Sequence, residues 1–128
     1  MERTQQVANA LVAACLAGAD AIDEMQLRYY AVDAVSVEPF ANGPGGAESH
    51  GLAAIRAKNK HWYETHELHT FEVEGPFVHG NKFSVIFNMD VTARNDVAPR
   101  HMKIREIALY TTLDGTITRE EFFGPPML

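Results

Sequence analysis

The stretch Arg100–Thr112 (RHMKIREIALYTT) decides how the rest of the chain is read. Taken as a strand, it puts Met102, Ile104, Glu106, Ala108 and Tyr110 on one face. His101, Lys103, Arg105, Ile107, Leu109 and Thr111 fall on the other, because strand side chains alternate with a period of two. A single carboxylate therefore stands in an otherwise apolar row. Burying an ionised carboxylate is costly, and the usual relief is a raised pKa. A carboxyl that stays neutral near pH 7 can donate a hydrogen bond or act as an acid. The bland alternative is a bulge that turns Glu106 to water beside Arg105 or Lys103.

Extended patterns continue on both sides. Phe83, Val85, Phe87, Met89 and Val91 form a second period-two row, and Thr70–Glu74 alternates before a break at Gly75-Pro76. The Leu113-Asp114-Gly115-Thr116 segment separates the Glu106 strand from Ile117–Phe123, and an Asp-Gly pair between two extended runs signals a hairpin. Upstream the pattern is mostly helical. Val7, Leu11, Val12 and Cys15 recur at helical spacing up to Gly18. Asp20 suits the cap of a second helix carrying Ile22, Met25, Tyr29 and Tyr30 on one side. Ala34–Glu38 reads as a short strand ended by Pro39. Asn42–Gly51 (NGPGGAESHG) reads as a glycine-rich loop, the segment expected to move most. A third helix is expected from about Gly51 to Glu64, with Leu52, Ile55, Asn59 and Trp62 on a common stripe.

Helices followed by consecutive strands describe an α+β domain occupying the 128 residues, with three helices covering a curved, mostly antiparallel sheet. Such a cone encloses a natural ligand pocket. The composition fits a globular domain, with 46% hydrophobic and 22% charged residues. With 11 Lys and Arg against 17 Asp and Glu, the formal net charge is −6. That balance speaks against nucleic acid and anionic membranes as partners. Cys15 is the only cysteine, which rules out an intrachain disulfide. The small apolar run Val7–Ala19 ends in Ala17-Gly18-Ala19, which resembles a signal-peptidase site, but Met1–Gln6 carries no net basic charge and Asn9 interrupts the run. It is also too short to span a bilayer. The run reads as a helix and the protein as cytoplasmic.

A second acid completes the pattern. Glu38 closes Ser36-Val37-Glu38-Pro39, where the proline ends strand pairing and restricts the residue before it. Tyr30–Pro39 (YAVDAVSVEP) resembles the segment of ketosteroid isomerases and SnoaL-like proteins that leads from the second helix into the first strand. Glu106–Gly124 (EIALYTTLDGTITREEFFG) resembles their closing hairpin, and Ser49–Arg56 (SHGLAAIR) resembles the loop and third-helix start of SnoaL-like domains. The resemblance runs from about Val7 to Gly124 and implies the NTF2-like fold. It puts Glu38 at the position of the isomerases' general base and Glu106 at that of their acidic oxyanion-hole residue. It also puts Leu11 where the isomerases carry a tyrosine, so steroid isomerisation is not expected; Tyr110, Tyr29 and Tyr30 are other sources of a phenol. The resemblance further implies a homodimer formed through the outer sheet face.

Other groupings carry less. His61, His66 and His69 cluster with Glu64 and Glu67, but HExxH would require histidine at Thr70, and the cluster straddles a change from helix to strand. No metal is expected there, though His61 and His66 are reserve acids or bases. Asn59 is either an inward polar group or a helix-surface residue reached by a slight rotation of its stripe. The expectation is a cofactor-independent small-molecule enzyme acting next to a carbonyl, by isomerisation, cyclisation or dehydration. Glu38 would be the base and Glu106 the acid, with Asn59, Trp62, Met102, Ile104 and Tyr110 shaping an apolar pocket. The alternatives are a non-catalytic ligand-binding or dimerisation module, and hydrolysis resembling that of limonene epoxide hydrolase, whose acids are bridged by an arginine.

Overall fold

The structure, a computed structural model, describes residues 2–40, 47–94 and 97–124. Three helices come first or between the early strands: α1 (Glu2–Ala17), α2 (Ala19–Tyr29) and α3 (Leu52–Thr65). The strands are β1 (Tyr30–Val37), β2 (Glu48–His50), β3 (His66–His79), β4 (Lys82–Ala93), β5 (Arg100–Leu113) and β6 (Thr116–Phe123). They form one sheet in the order β2-β1-β6-β5-β4-β3. All neighbours pair antiparallel except β1 and β6, which run parallel and make the sheet mixed. The three long strands β3, β4 and β5 coil together as long twisted strands do, and the helices cover the inner face. This is the NTF2-like cone.

Its core follows the two expected periodicities. In α1, Val7, Ala8, Leu11 and Ala14 are buried, a helical stripe that packs on β3 and β4. From the sheet, Phe83, Val85, Phe87 and Val91 of β4 and Ala108 and Tyr110 of β5 face inward. Register pairs Phe83 with Tyr110, and their rings stack at 4.8 Å. The hydroxyls of Thr4 and Thr112, both buried, meet at 3.2 Å and tie α1 to β5.

Several boundaries differ from the sequence reading for identifiable reasons. Asp20 does not cap α2: Gly18, at φ 116°, is the N-cap, and Asp20 lies in the first turn, where a carboxylate still favours the helix's positive end. Tyr30 leaves the helical stripe and begins β1 in extended conformation, so β1 starts four residues before Ala34. Gly75-Pro76 does not end its strand, and β3 runs through it with a register shift between Glu74 and Phe77. Proline is tolerated there because β3 is an edge strand with a bulge at that point. Within the expected loop, Glu48–His50 pairs with β1 as β2; residues 42–46 lie outside the described residues. Asp114 (φ 51°) and Gly115 (φ 80°) form the β5–β6 turn, where both central residues require positive φ.

Candidate active site

The decisive local feature is a phase change in β6. Ile117 pairs with Thr112, but Arg119 pairs with Thr111, so Thr118 is an extra residue in the ladder. A bulge of this kind shifts the alternation by one. Ile117 points inward before it, and Glu120 points inward after it, with Phe122 beyond along the cavity wall. Strand β5 keeps its phase throughout, so Met102, Ile104, Glu106 and Tyr110 all reach the cavity.

That cavity has a volume of about 410 Å³, within the size range of small-molecule sites. Leu11, Trp62, Phe71, Phe87, Met89 and Phe122 supply much of its apolar wall. All seven residues singled out from the sequence border it: Glu38, Asn59, Trp62, Met102, Ile104, Glu106 and Tyr110. His61 and His66 border it too, whereas His69 is exposed and meets Thr92 at 2.7 Å. The ring of His66 stacks on Trp62 at 4.6 Å, and its Nδ1–H donates to the Trp62 carbonyl at 3.0 Å. Burial lowers the His66 pKa below the usual imidazole value.

Three carboxyl groups share this space. Glu38 follows β1, and its backbone N–H donates to the Ala47 carbonyl at 2.7 Å. Its Oε1 accepts from Lys58 Nζ at 2.9 Å, and both side chains are mostly enclosed, at 19% and 14% exposure. Glu106 stands opposite Phe87 in β4 and has no side-chain hydrogen-bond partner among the described residues. Burial first, then the negative charge of Glu38, push its pKa up to about 7 against the pull of Lys58. Glu120 is buried between Ser36 and Tyr110, its register partners. Its Oε2 accepts from the Tyr30 hydroxyl at 2.7 Å. Burial also raises its pKa, opposed by Lys58, Tyr30 and Ser36. Burial and the Glu120 charge push the phenols of Tyr30 and Tyr110 well above the ordinary value and the thiol of Cys15 to about 12.

Sequence reasoning missed Lys58, Ser36 and Glu120. Lys58 was legible in principle, since it falls three residues after Ile55 and four before Trp62, on one helix face. Glu120 was hidden by the bulge. Arg56 is turned away to Asp23, at 2.8 Å and 3.0 Å, and Arg105 faces out to Glu74 at 2.7 Å. Among the described residues no group of acidic, histidine and cysteine side chains could hold a metal ion, and no helix is long and apolar enough to cross a membrane.

A cone-shaped α+β domain that encloses an apolar cavity defines the ketosteroid isomerase-like class of the NTF2-like fold. Within that class the chain belongs to the SnoaL-like family, whose domain model matches residues 3–124. A Mesorhizobium loti protein with the provisional description SnoaL-like polyketide cyclase is 34% identical; the alignment covers 95% of this chain and 96% of that one, with a TM-score of 0.75. An NTF2-like protein of unknown function from Burkholderia pseudomallei is 19% identical over 98% and 92% of the two chains, with a TM-score of 0.77. A Catenulispora acidiphila protein with the ketosteroid isomerase-like fold, solved in complex with trimethylamine, is 16% identical over 91% and 83%, with a TM-score of 0.65. The latter two establish the fold alone. No curated protein matches the chain.

Proposed function

We propose that the chain is a cofactor-independent acid–base enzyme acting on a small carbonyl compound held in the cavity. The observation that carries this reading is the contrast between two carboxyls that line one cavity. Glu38 is paired with an ammonium, and Glu106 is raised to about 7 without a side-chain partner. Neighbouring carboxyls in contrasting environments divide into base and acid. In this reading Glu38 removes a proton from the carbon next to the carbonyl. The protonated Glu106 donates a hydrogen bond to the carbonyl oxygen, where negative charge gathers as the enolate forms. Return of the proton to a different carbon completes an isomerisation; attack of the enolate on a second carbonyl of the same molecule closes a ring. Asn59 and Trp62 from α3, and Met102, Ile104 and Tyr110 from β5, orient the substrate.

An open cavity favours this enzyme over a purely structural dimerisation module, which has no use for an unfilled interior. The trimethylamine held by the C. acidiphila relative supports a ligand-binding role for such a cavity. Hydrolysis with an arginine-bridged acid pair ranks last, because the cation on Glu38 is Lys58, and Arg56 and Arg105 pair with outward acids. Pairing of two copies through the outer sheet face remains part of the proposal.

The test is turnover of a panel of 1,3-dicarbonyl and polyketide-like compounds by the wild type and by Glu38→Gln. Loss of a positioned base lowers turnover about 10²–10⁴-fold, with ligand affinity nearly unchanged. Full turnover by Glu38→Gln would move the base elsewhere, to His61 or His66 first. Binding without turnover across the panel would favour the binding module.

A further inference from the structure

Lys58 was no part of the acid–base pair inferred above, yet it touches more of the site's polar chemistry than any other side chain. It projects from the middle of α3, and its ammonium makes three separate contacts. Nζ donates to the Oγ of Ser36 on β1, donates to Oε1 of Glu38 at 2.9 Å, and lies 5.2 Å from the centroid of the Phe122 ring on β6. Two directional hydrogen bonds and a cation–π contact fix the position of a side chain that is otherwise among the most mobile. A mostly enclosed ion pair with satisfied donors is costly to break from one side, because the remaining charge is left without a partner.

The placement matters for the acids as a group. Glu38 touches Lys58 directly, and Ser36 connects it to the β6 register position of Glu120. Glu106 borders the same cavity from β5, the strand next to that of Glu120. We propose that Lys58 is a positioning residue of this site: held by Ser36 and Phe122, it fixes the Glu38 carboxylate at the cavity wall and supplies the positive charge that the three acids share. This deepens the acid–base reading and rests on it for its catalytic meaning, but the charge arrangement itself can be tested without a substrate.

The titratable and charged groups that line the cavity with Lys58 come from nearly every packed element. They are Cys15 of α1, Tyr30 and Glu38 of β1 and its end, His61 and Tyr63 of α3, His66 of β3, Glu106 and Tyr110 of β5 with the cations Arg100, Lys103 and Arg105 of the same strand, and Glu120 of β6. Strand β4 contributes only apolar side chains, Phe87 and Met89. Near pH 7 the thiol and the phenols stay neutral, since all are raised above their ordinary values. The charges that act on Glu106 are then mainly Glu38, which raises it, and Lys58, which lowers it. An opposite charge within a few ångströms lowers a carboxyl pKa by about one to three units, and its removal does the reverse.

The experiment is a carboxyl titration by ¹³C NMR of glutamate-labelled wild type, Lys58→Met and Lys58→Arg, each first shown to be folded by circular dichroism. In Lys58→Met the Glu106 midpoint should rise, because the ammonium is the charge that pulls it down, while Lys58→Arg, which keeps the charge, should move it less. A folded Lys58→Met with an unchanged Glu106 midpoint would overturn the proposal. If Lys58→Met does not fold, the ¹⁵N ammonium signals of the wild type decide, since the chain has only Lys58, Lys60, Lys82 and Lys103 to resolve. Lys58 should exchange its protons far more slowly than exposed Lys60, and lose that protection in Glu38→Gln. Equal exchange at Lys58 and Lys60 would overturn it as well. Neither readout depends on turnover, so failure of the catalytic reading and failure of this one give different results.

Discussion

Glu106 and Glu74 differ by which face of the same sheet they occupy. Glu74 on the outer face accepts from Asn88 and Arg105, each at 2.7 Å, and those bonds hold its carboxyl below the ordinary value. Glu106 follows Arg105 directly in sequence but points into the cavity, where burial and Glu38 raise it to about 7. The alternation of a single strand thus sends the cation one way and the acid the other. Outside, a carboxylate finds water, an amide and a guanidinium. Inside, Glu106 finds apolar walls and a second acid. The lesson is that Glu106 is set apart by being denied the partner its neighbour gives away.

The comparison predicts a graded set of mutational effects. Glu120→Ala should cost the most stability, about 2–4 kcal/mol by denaturant titration, because it opens a hole and strands the buried Tyr30 hydroxyl. Glu120→Gln keeps an acceptor for that hydroxyl and should cost much less; an equal loss for the two variants would mean the hydroxyl bond contributes little.

Glu106→Gln comes next, and its effect depends on pH. With a carboxyl raised from 4.5 to about 7, the folded state holds its proton more tightly than the unfolded chain. The wild type therefore loses the Glu106 contribution to stability as pH rises from about 4.5 to 7, and the glutamine variant, which keeps only the similar response of Glu120, loses less. The two should match below the lower value. Above the upper one the variant should be the more stable by up to roughly 3 kcal/mol. Parallel stability curves across that window would place Glu106 in a water-like setting.

Glu74→Gln should have the smallest effect. An exposed, screened ion pair contributes little, so its melting temperature should equal that of the wild type in high salt. A large, salt-insensitive loss would mean that Glu74 is covered, and would put it inside rather than outside the seam of the proposed homodimer.

The sequence showed one of these faces better than the other parts of the site. Strand β5 keeps an unbroken period of two, so Glu106 and its inward companions could be read directly from residue order. The β5–β6 turn was legible for a similar reason, since Asp114-Gly115 supplies the positive φ values a tight hairpin needs. Glu120 was not legible, because the bulge at Thr118 inverts the alternation within a strand of eight residues. Strict alternation from Ile117 would have pointed Arg119 and Glu121 inward instead. The parallel pairing of β1 with β6 joins segments about 85 residues apart, and no local pattern records it. Lys58 had the right helical spacing, but a lysine on a helix is ordinarily a surface residue, and only what its ammonium meets, Ser36 and Glu38 at the end of β1 and the Phe122 ring of β6, explains its inward position. Sequence periodicity reports what one element repeats; the site depends on where elements break their repeat and on what they meet.

The central claim is that burial on the inner face separates Glu106 from the outer acids of the same sheet. One ¹³C carboxyl titration of the unmodified protein tests it, because Glu74 and Glu106 appear in the same spectrum. The account predicts a Glu74 midpoint below 4.5 and a Glu106 midpoint near 7. Coincident midpoints near 4.5 would contradict it.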